Sequence, residues 1–142
     1  MSTVSRDELK QKGIKRLVKS FGYAIDGLKY AFKYEQNLTV HIVATILVIV
    51  FGILFNISSF EWLLIFLCIG LVIATELLNT SIEATIDLIS PNKHPLAKVA
   101  KDTAAAAVLV FAITAIIVGF IIFIPKIAVY LGALLWEAAL SV

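Results

Sequence analysis

The chain has 142 residues, 61% of them hydrophobic and only 15% charged, with a mean hydropathy of +0.99. That composition excludes an ordinary soluble domain and predicts a small integral membrane protein. The formal net charge of +2 is uninformative until its distribution is read, and the lone Cys68, inside an apolar run, excludes an intramolecular disulfide and any multi-cysteine metal site.

In chain order, residues 1–13 read as a polar, lysine-rich tail, mobile or loosely helical, and the polar, basic first 37 residues predict no cleavable signal. From 14 to 34, Ile14, Leu17, Val18, Phe21, Ile25, Leu28 and Phe32 recur with helical period, while Lys15, Arg16, Lys19, Asp26, Lys29 and Lys33 take the other side. This pattern predicts an amphipathic helix lying at the membrane surface, with a soluble helix packed on a partner as the competing reading. The first span is expected over 38–55, where only His41 can carry charge, and eighteen residues reach about 27 Å. His41, near the start of that span, reads as a neutral, hydrogen-bonded side chain at interface depth.

A tight polar turn, Asn56-Ile57-Ser58-Ser59, precedes the second span, expected over 60–89 with Glu61 and Trp62 at the interface. Two prolines and Asn92 in Ser90-Pro91-Asn92-Lys93-His94-Pro95 are expected to stop that helix. A helical turn over 96–102 then leads into a third span, 103–124, whose four alanines, Ala104 to Ala107, predict close helix approach. Pro125 and Lys126 are expected to end it. The apolar remainder, 125–142, fits an interfacial helix, a re-entrant piece or an oligomer contact, and its role stays open.

Eight Lys and Arg side chains precede the first span, three lie between the second and third, and one follows the third. The positive-inside rule therefore puts the amino terminus and the second loop in the cytoplasm.

The second span carries the chemistry. At about 100° per residue, Glu76 and Glu83 fall nearly on one line, and Asn79, Thr80 and Asp87 lie within roughly 60° of it. Leu77, Leu78, Ile82 and Ile86 cover the other faces. Ionisable residues at membrane depth mark functional sites by default; the plainer reading is a helix end whose acids are only solvated. Glu83 and Glu35 are the natural pair for a hard cation such as Mg²⁺, which takes one or two carboxylates plus substrate phosphates, and Lys101 suits phosphate oxygens. Glu76, about 10 Å deeper along the helix, is placed to accept a proton from a lipid hydroxyl. Neither the Gly-rich phosphate loop nor the protein-kinase motif set occurs.

The run Glu76-Leu77-Leu78-Asn79-Thr80-Ser81-Ile82-Glu83-Ala84, closed by Asp87 and followed by Ala100-Lys101-Asp102 and Ala106 to Leu109, resembles the bacterial membrane-embedded diacylglycerol kinase family, which includes undecaprenol kinases. The resemblance covers roughly residues 14–124. It implies an all-α membrane domain of three spans behind an amino-terminal surface helix, assembled as a homotrimer in the plasma membrane. It implies MgATP as the phosphoryl source and a lipid alcohol as acceptor at the cytoplasmic interface, with no role for nucleic acid. By the same resemblance Glu76 is the catalytic base, with Asn79 supporting the site and contacting substrate or base. Magnesium falls to Glu35 and Glu83, and nucleotide contacts to Arg16, Tyr23, Asn92, Lys93, His94, Lys101 and Asp102. On the residues alone, Tyr23 is as well read as an interface anchor and His94 as a solvated loop histidine.

The implied reaction is conversion of undecaprenol to undecaprenyl phosphate, with diacylglycerol to phosphatidic acid as the alternative. From another class, a small proton-coupled transporter would use the same acids. A transporter's key acid, however, usually lies near the midplane, whereas these gather toward one face.

Overall fold

The computed structural model describes residues 13–140, so residues 1–12 of the expected tail and the last two residues lie outside the described part. Four helices follow one another: α1 (Ile14–Tyr34), α2 (Gln36–Leu54), α3 (Ser59–Ile89) and α4 (Pro95–Leu140). The last three are long and apolar enough to cross a membrane, and the all-α fold of a membrane protein expected from the sequence is the one observed. The chain divides into two compact units, Met1–Gln36 and Asn37–Val142. In the first, α1 ends at Glu35, whose extended backbone (φ −103°, ψ 108°) breaks the helix while its N–H donates to the Ala31 carbonyl at 2.8 Å.

The turn after α2 is held locally. Asn56 adopts φ 47°, a left-handed conformation that asparagine tolerates better than most residues. The Ile57 N–H then donates back to the Gly52 carbonyl at 3.1 Å. Ser58 caps α3 reciprocally: its Oγ accepts from the Glu61 N–H at 3.3 Å, and its own N–H donates to Glu61 Oε2 at 2.6 Å. Gly52 is needed because α2 passes very close to α3 here; a Cβ would sit 2.6 Å from the Trp62 ring. Ile57, Ile65 and Ile122 form the buried core beside this turn, with Phe55, Trp62 and Phe123 packed against it. Lys126 on α4 pairs with Glu61 at 3.2 Å, and Tyr130 meets Phe55 edge to face, so a polar and aromatic rim closes this end of the bundle.

At the opposite end the sequence reading needs correction. Pro95 does not belong to the stop; it is the first residue of α4, a position where the missing N–H costs nothing and the fixed φ suits the helix. His94 precedes it as a cap, its Nδ1 accepting from the Leu96 N–H at 3.2 Å and its carbonyl from the Lys98 N–H at 3.1 Å. The helical turn over 96–102 and the third span are therefore one element.

Pro125 does not end that element either. It lies inside α4, which continues to Leu140. A proline removes one hydrogen bond and crowds one carbonyl, at about 3 kcal/mol. Ending the helix in an apolar environment would leave several backbone groups unpaired at several kcal/mol each, so the helix persists. Its 46 residues reach about 69 Å, more than twice a hydrocarbon core of about 30 Å. Residues 128–140 are exposed along their whole length. Of the four alanines expected to pack closely, only Ala104 is buried.

Two outcomes follow. Gly52→Val should destabilise the protein in detergent by about 1–3 kcal/mol through overpacking, read as a lower Tm, and Trp62→Leu in the same chain should restore part of it. Pro125→Ala should raise Tm, because the Ile121 carbonyl regains a backbone donor; an unchanged Tm would mean the chain is not helical through this point.

Candidate active site

The buried face of α3 is a single stripe: Ile65, Val72, Glu76, Asn79 and Thr80. Its lower half is apolar and packs in the core; its upper half is polar and faces α4, where Ala104 and Val108 are buried. The stripe emerges gradually. Glu76 is 1% exposed and Asn79 6%, Glu83 is half-buried and Asp87 exposed, over eleven residues or about 16 Å of rise. A carboxylate this buried carries a large desolvation penalty unless it is matched.

Local hydrogen bonds settle the remaining polar groups on this face. Thr80 Oγ1 donates to the Glu76 carbonyl at 3.0 Å, and Thr75 Oγ1 to the Leu71 carbonyl at 2.8 Å, so the proton of each hydroxyl is committed to its own helix. Asn79 Nδ2 donates to Glu83 Oε1 at 3.0 Å. That bond fixes the amide, because the opposite flip would set its oxygen against a carboxylate. Asn79 Oδ1 is thereby a buried acceptor with no hydrogen-bond donor among the described residues.

Glu76 and Asn79 line one cavity of about 190 Å³ together with Asn37, His41, Ala105, Val108, Leu109 and Ala112. Asn37 and His41 are the site residues that sequence reasoning missed. Their i, i+4 spacing places them on one face of α2, the available signal, but only the packing shows that this face looks onto Glu76.

The other expected residues are placed as follows. Asn92, Lys93 and His94 occupy the exposed loop between α3 and α4. Lys101 pairs with Asp87 at 2.5 Å, joining the ends of α3 and α4. It lies in the polar stretch ahead of the apolar run, and the hydrogen bond its ammonium donates to Asp87 holds its pKa above the ordinary lysine value. Asp102 pairs with Lys98 one turn away on the exposed face. Arg16, Tyr23 and Glu35 belong to the first unit, with Arg16 and Tyr23 exposed along α1 and Glu35 half-buried at its end.

Among the described residues no group of three or more His, Cys, Asp or Glu side chains is arranged to hold a metal ion. Magnesium commonly takes one or two carboxylates and completes its shell with phosphates and water, and half-buried Glu83, bonded to Asn79, is a carboxylate of the kind it uses.

Comparison with known proteins assigns the chemistry. Residues 22–123 match the family described as prokaryotic diacylglycerol kinase. The undecaprenol kinase of Bacillus subtilis is 47% identical over 113 residues, which cover 80% of this chain and 92% of that protein. A diacylglycerol kinase of Synechocystis is 40% identical over 110 residues, covering 77% and 63%, and that of Escherichia coli K12 is 34% identical over 105 residues, covering 74% and 86%. Glu76, Asn79, Glu83 and Lys101 all lie within the matched span, while Arg16 and the end of α4 lie outside it. The chain belongs to the prokaryotic diacylglycerol kinase family and is a membrane-embedded lipid kinase with ATP as its phosphoryl donor.

Proposed function

We propose that this lipid kinase phosphorylates undecaprenol to undecaprenyl phosphate at the cytoplasmic face of the plasma membrane, with its amino terminus in the cytoplasm. The observation that carries the reading is the Glu76–Asn79 cavity, an acid and an acceptor enclosed at membrane depth on the same helix as a carboxylate nearer the surface. Diacylglycerol is the second substrate considered, since several relatives bear that name; the greater identity to the undecaprenol kinase favours the prenol.

In this mechanism Asn79 Oδ1 and Glu76 receive the lipid hydroxyl. The Glu76 carboxylate takes its proton as the hydroxyl oxygen attacks the γ-phosphorus, and the bond from that phosphorus to the bridging oxygen breaks, leaving ADP. Glu35 and Glu83 would hold magnesium, which when bound neutralises charge on the phosphate oxygens. Asn79, by its bond to Glu83, couples the position of the hydroxyl to that of the metal ligand. Lys101, with Asp87 setting its direction, stabilises the phosphoryl group in transfer. Arg16, Tyr23, Asn92, Lys93, His94 and Asp102 complete the nucleotide contacts. The catalytic unit is residues 14–124, and it acts as a homotrimer.

Purified protein given MgATP with labelled γ-phosphate should transfer label to undecaprenol in preference to diacylglycerol; label in neither lipid overturns the reading. Glu76→Gln should lower kcat by about 10²–10⁴-fold, the usual worth of a positioned base, while nucleotide still binds. Glu83→Gln should instead raise the magnesium concentration for half-maximal activity by about tenfold, or 1.4 kcal/mol. Equal loss of nucleotide binding in both variants would show that the two roles are wrongly divided.

A further inference from the structure

Residues 127–140 lie outside the span matched to the family, and they are the part of α4 that the bundle leaves uncovered. Every residue there is exposed, its large apolar side chains from 39% at Ile127 to 75% at Val129. Glu137 is the one charged residue of the segment.

Length excludes a simple continuation of the span. Residues 103–125 alone reach about 34 Å, which already fills a hydrocarbon core of about 30 Å. Their far end is fixed in place. Half-buried Lys126 pairs with Glu61 beside the capped start of α3, and Tyr130 meets Phe55 just past the end of α2. A charged pair, a polar turn and aromatic rings at one level mark a membrane–water boundary. A helix running straight on from there would carry Trp136 about 15 Å past Lys126 into water, with Leu131, Leu134, Leu135 and Leu140 around it.

The directions of these side chains select what covers them. At about 100° per residue, Leu131, Leu134 and Leu135 point to one side of the helix and Val129, Trp136 and Leu140 to the opposite side. A neighbouring helix covers a stripe of about 100°, so a second copy packed on either side leaves the other in water. Lipid covers both sides at once. Ala133 and Glu137 lie between the two apolar sides and leave a narrow stripe for headgroups and water.

We propose that residues 127–140 form a membrane-surface helix, turned out of the bundle axis at Pro125 and sunk into lipid on the membrane face opposite the Lys101–Asp87 pair. Pro125 is where a bend costs least, because its ring leaves the Ile121 carbonyl without a helical donor. Lys126 is the only Lys or Arg after Lys101, so apolar burial, and not attraction to anionic headgroups, holds the segment; neutral lipid is a sufficient partner. The anchor goes beyond the kinase reaction and does not depend on which alcohol is phosphorylated.

Trp62→Phe leaves Trp136 as the sole tryptophan of the full chain. In proteoliposomes of phosphatidylcholine alone, lipids brominated near the headgroup end of their chains should quench Trp136 about twofold more than lipids brominated at the chain ends, as for a helix buried about 5–10 Å. Aqueous acrylamide should quench it little. Quenching by acrylamide alone puts the segment in water, strongest quenching from chain-end bromines puts it in the bilayer interior, and protection from both quenchers means that a protein surface, a second copy included, covers it; each of these overturns the proposal. If Trp62→Phe fails to fold, a nitroxide on Leu135→Cys in a Cys68→Ala chain reads the same depth. Relaxation by dissolved oxygen exceeding that by a water-soluble nickel chelate supports the anchor, and the reverse overturns it.

Discussion

The structure depends on enclosing a carboxylate inside an apolar bundle. Glu76 is 1% exposed on a helix whose neighbouring residues are nearly all hydrophobic. In hydrocarbon such a group has no water to fall back on, so the protein must surround it. The enclosure comes from α3 and α4, which meet along a stripe that is apolar at one end and polar at the other. Small and β-branched residues of α4, Ala104 and Val108, lie where the polar half of the stripe is deepest. Their size allows α4 to come close enough to exclude lipid from the acid.

The two ends of the bundle serve this enclosure differently. Around Ser58 the chain is fastened by a capping box, an ion pair between Glu61 and Lys126, and aromatic contacts of Phe55 with Phe123 and Tyr130. That rim holds α2, α3 and α4 at fixed spacing. Around Ser90 to His94 the connection is an exposed loop of polar residues, and Lys101–Asp87 is the tie between the helices. The fastened end therefore sets the helix positions, while the polar end is open to solvent.

Between these ends α2 stands off from the α3–α4 pair, leaving the apolar groove. Polar and apolar surface are thus stacked along the helices: the Lys101–Asp87 pair outermost, the Glu76 and Asn79 pair beneath it, and apolar wall below. The ordering matches the polarity gradient of a bilayer, from charged surface to hydrocarbon.

Much of this was legible in the residues. Three apolar spans and the polar stripe from Glu76 to Asp87 follow from hydropathy and the helical period, because in a bilayer every backbone group must be paired within its own helix and local pattern decides the element. The motif beginning at Glu76 carried the family. Other features needed the packed chain. Pro125 looked like a stop, yet the apolar surroundings make a continuous helix cheaper than an exposed end. His41 looked like an interface histidine, and only the approach of α2 to α3 turns it toward Glu76. The partner of Lys101, the need for glycine at position 52, and the groove width depend on distances between helices far apart in sequence. Sequence by itself determined where the apolar helices lie and which face of α3 is polar, because those are properties of a single helix; what that face encloses was decided only when α2 and α4 were set against it.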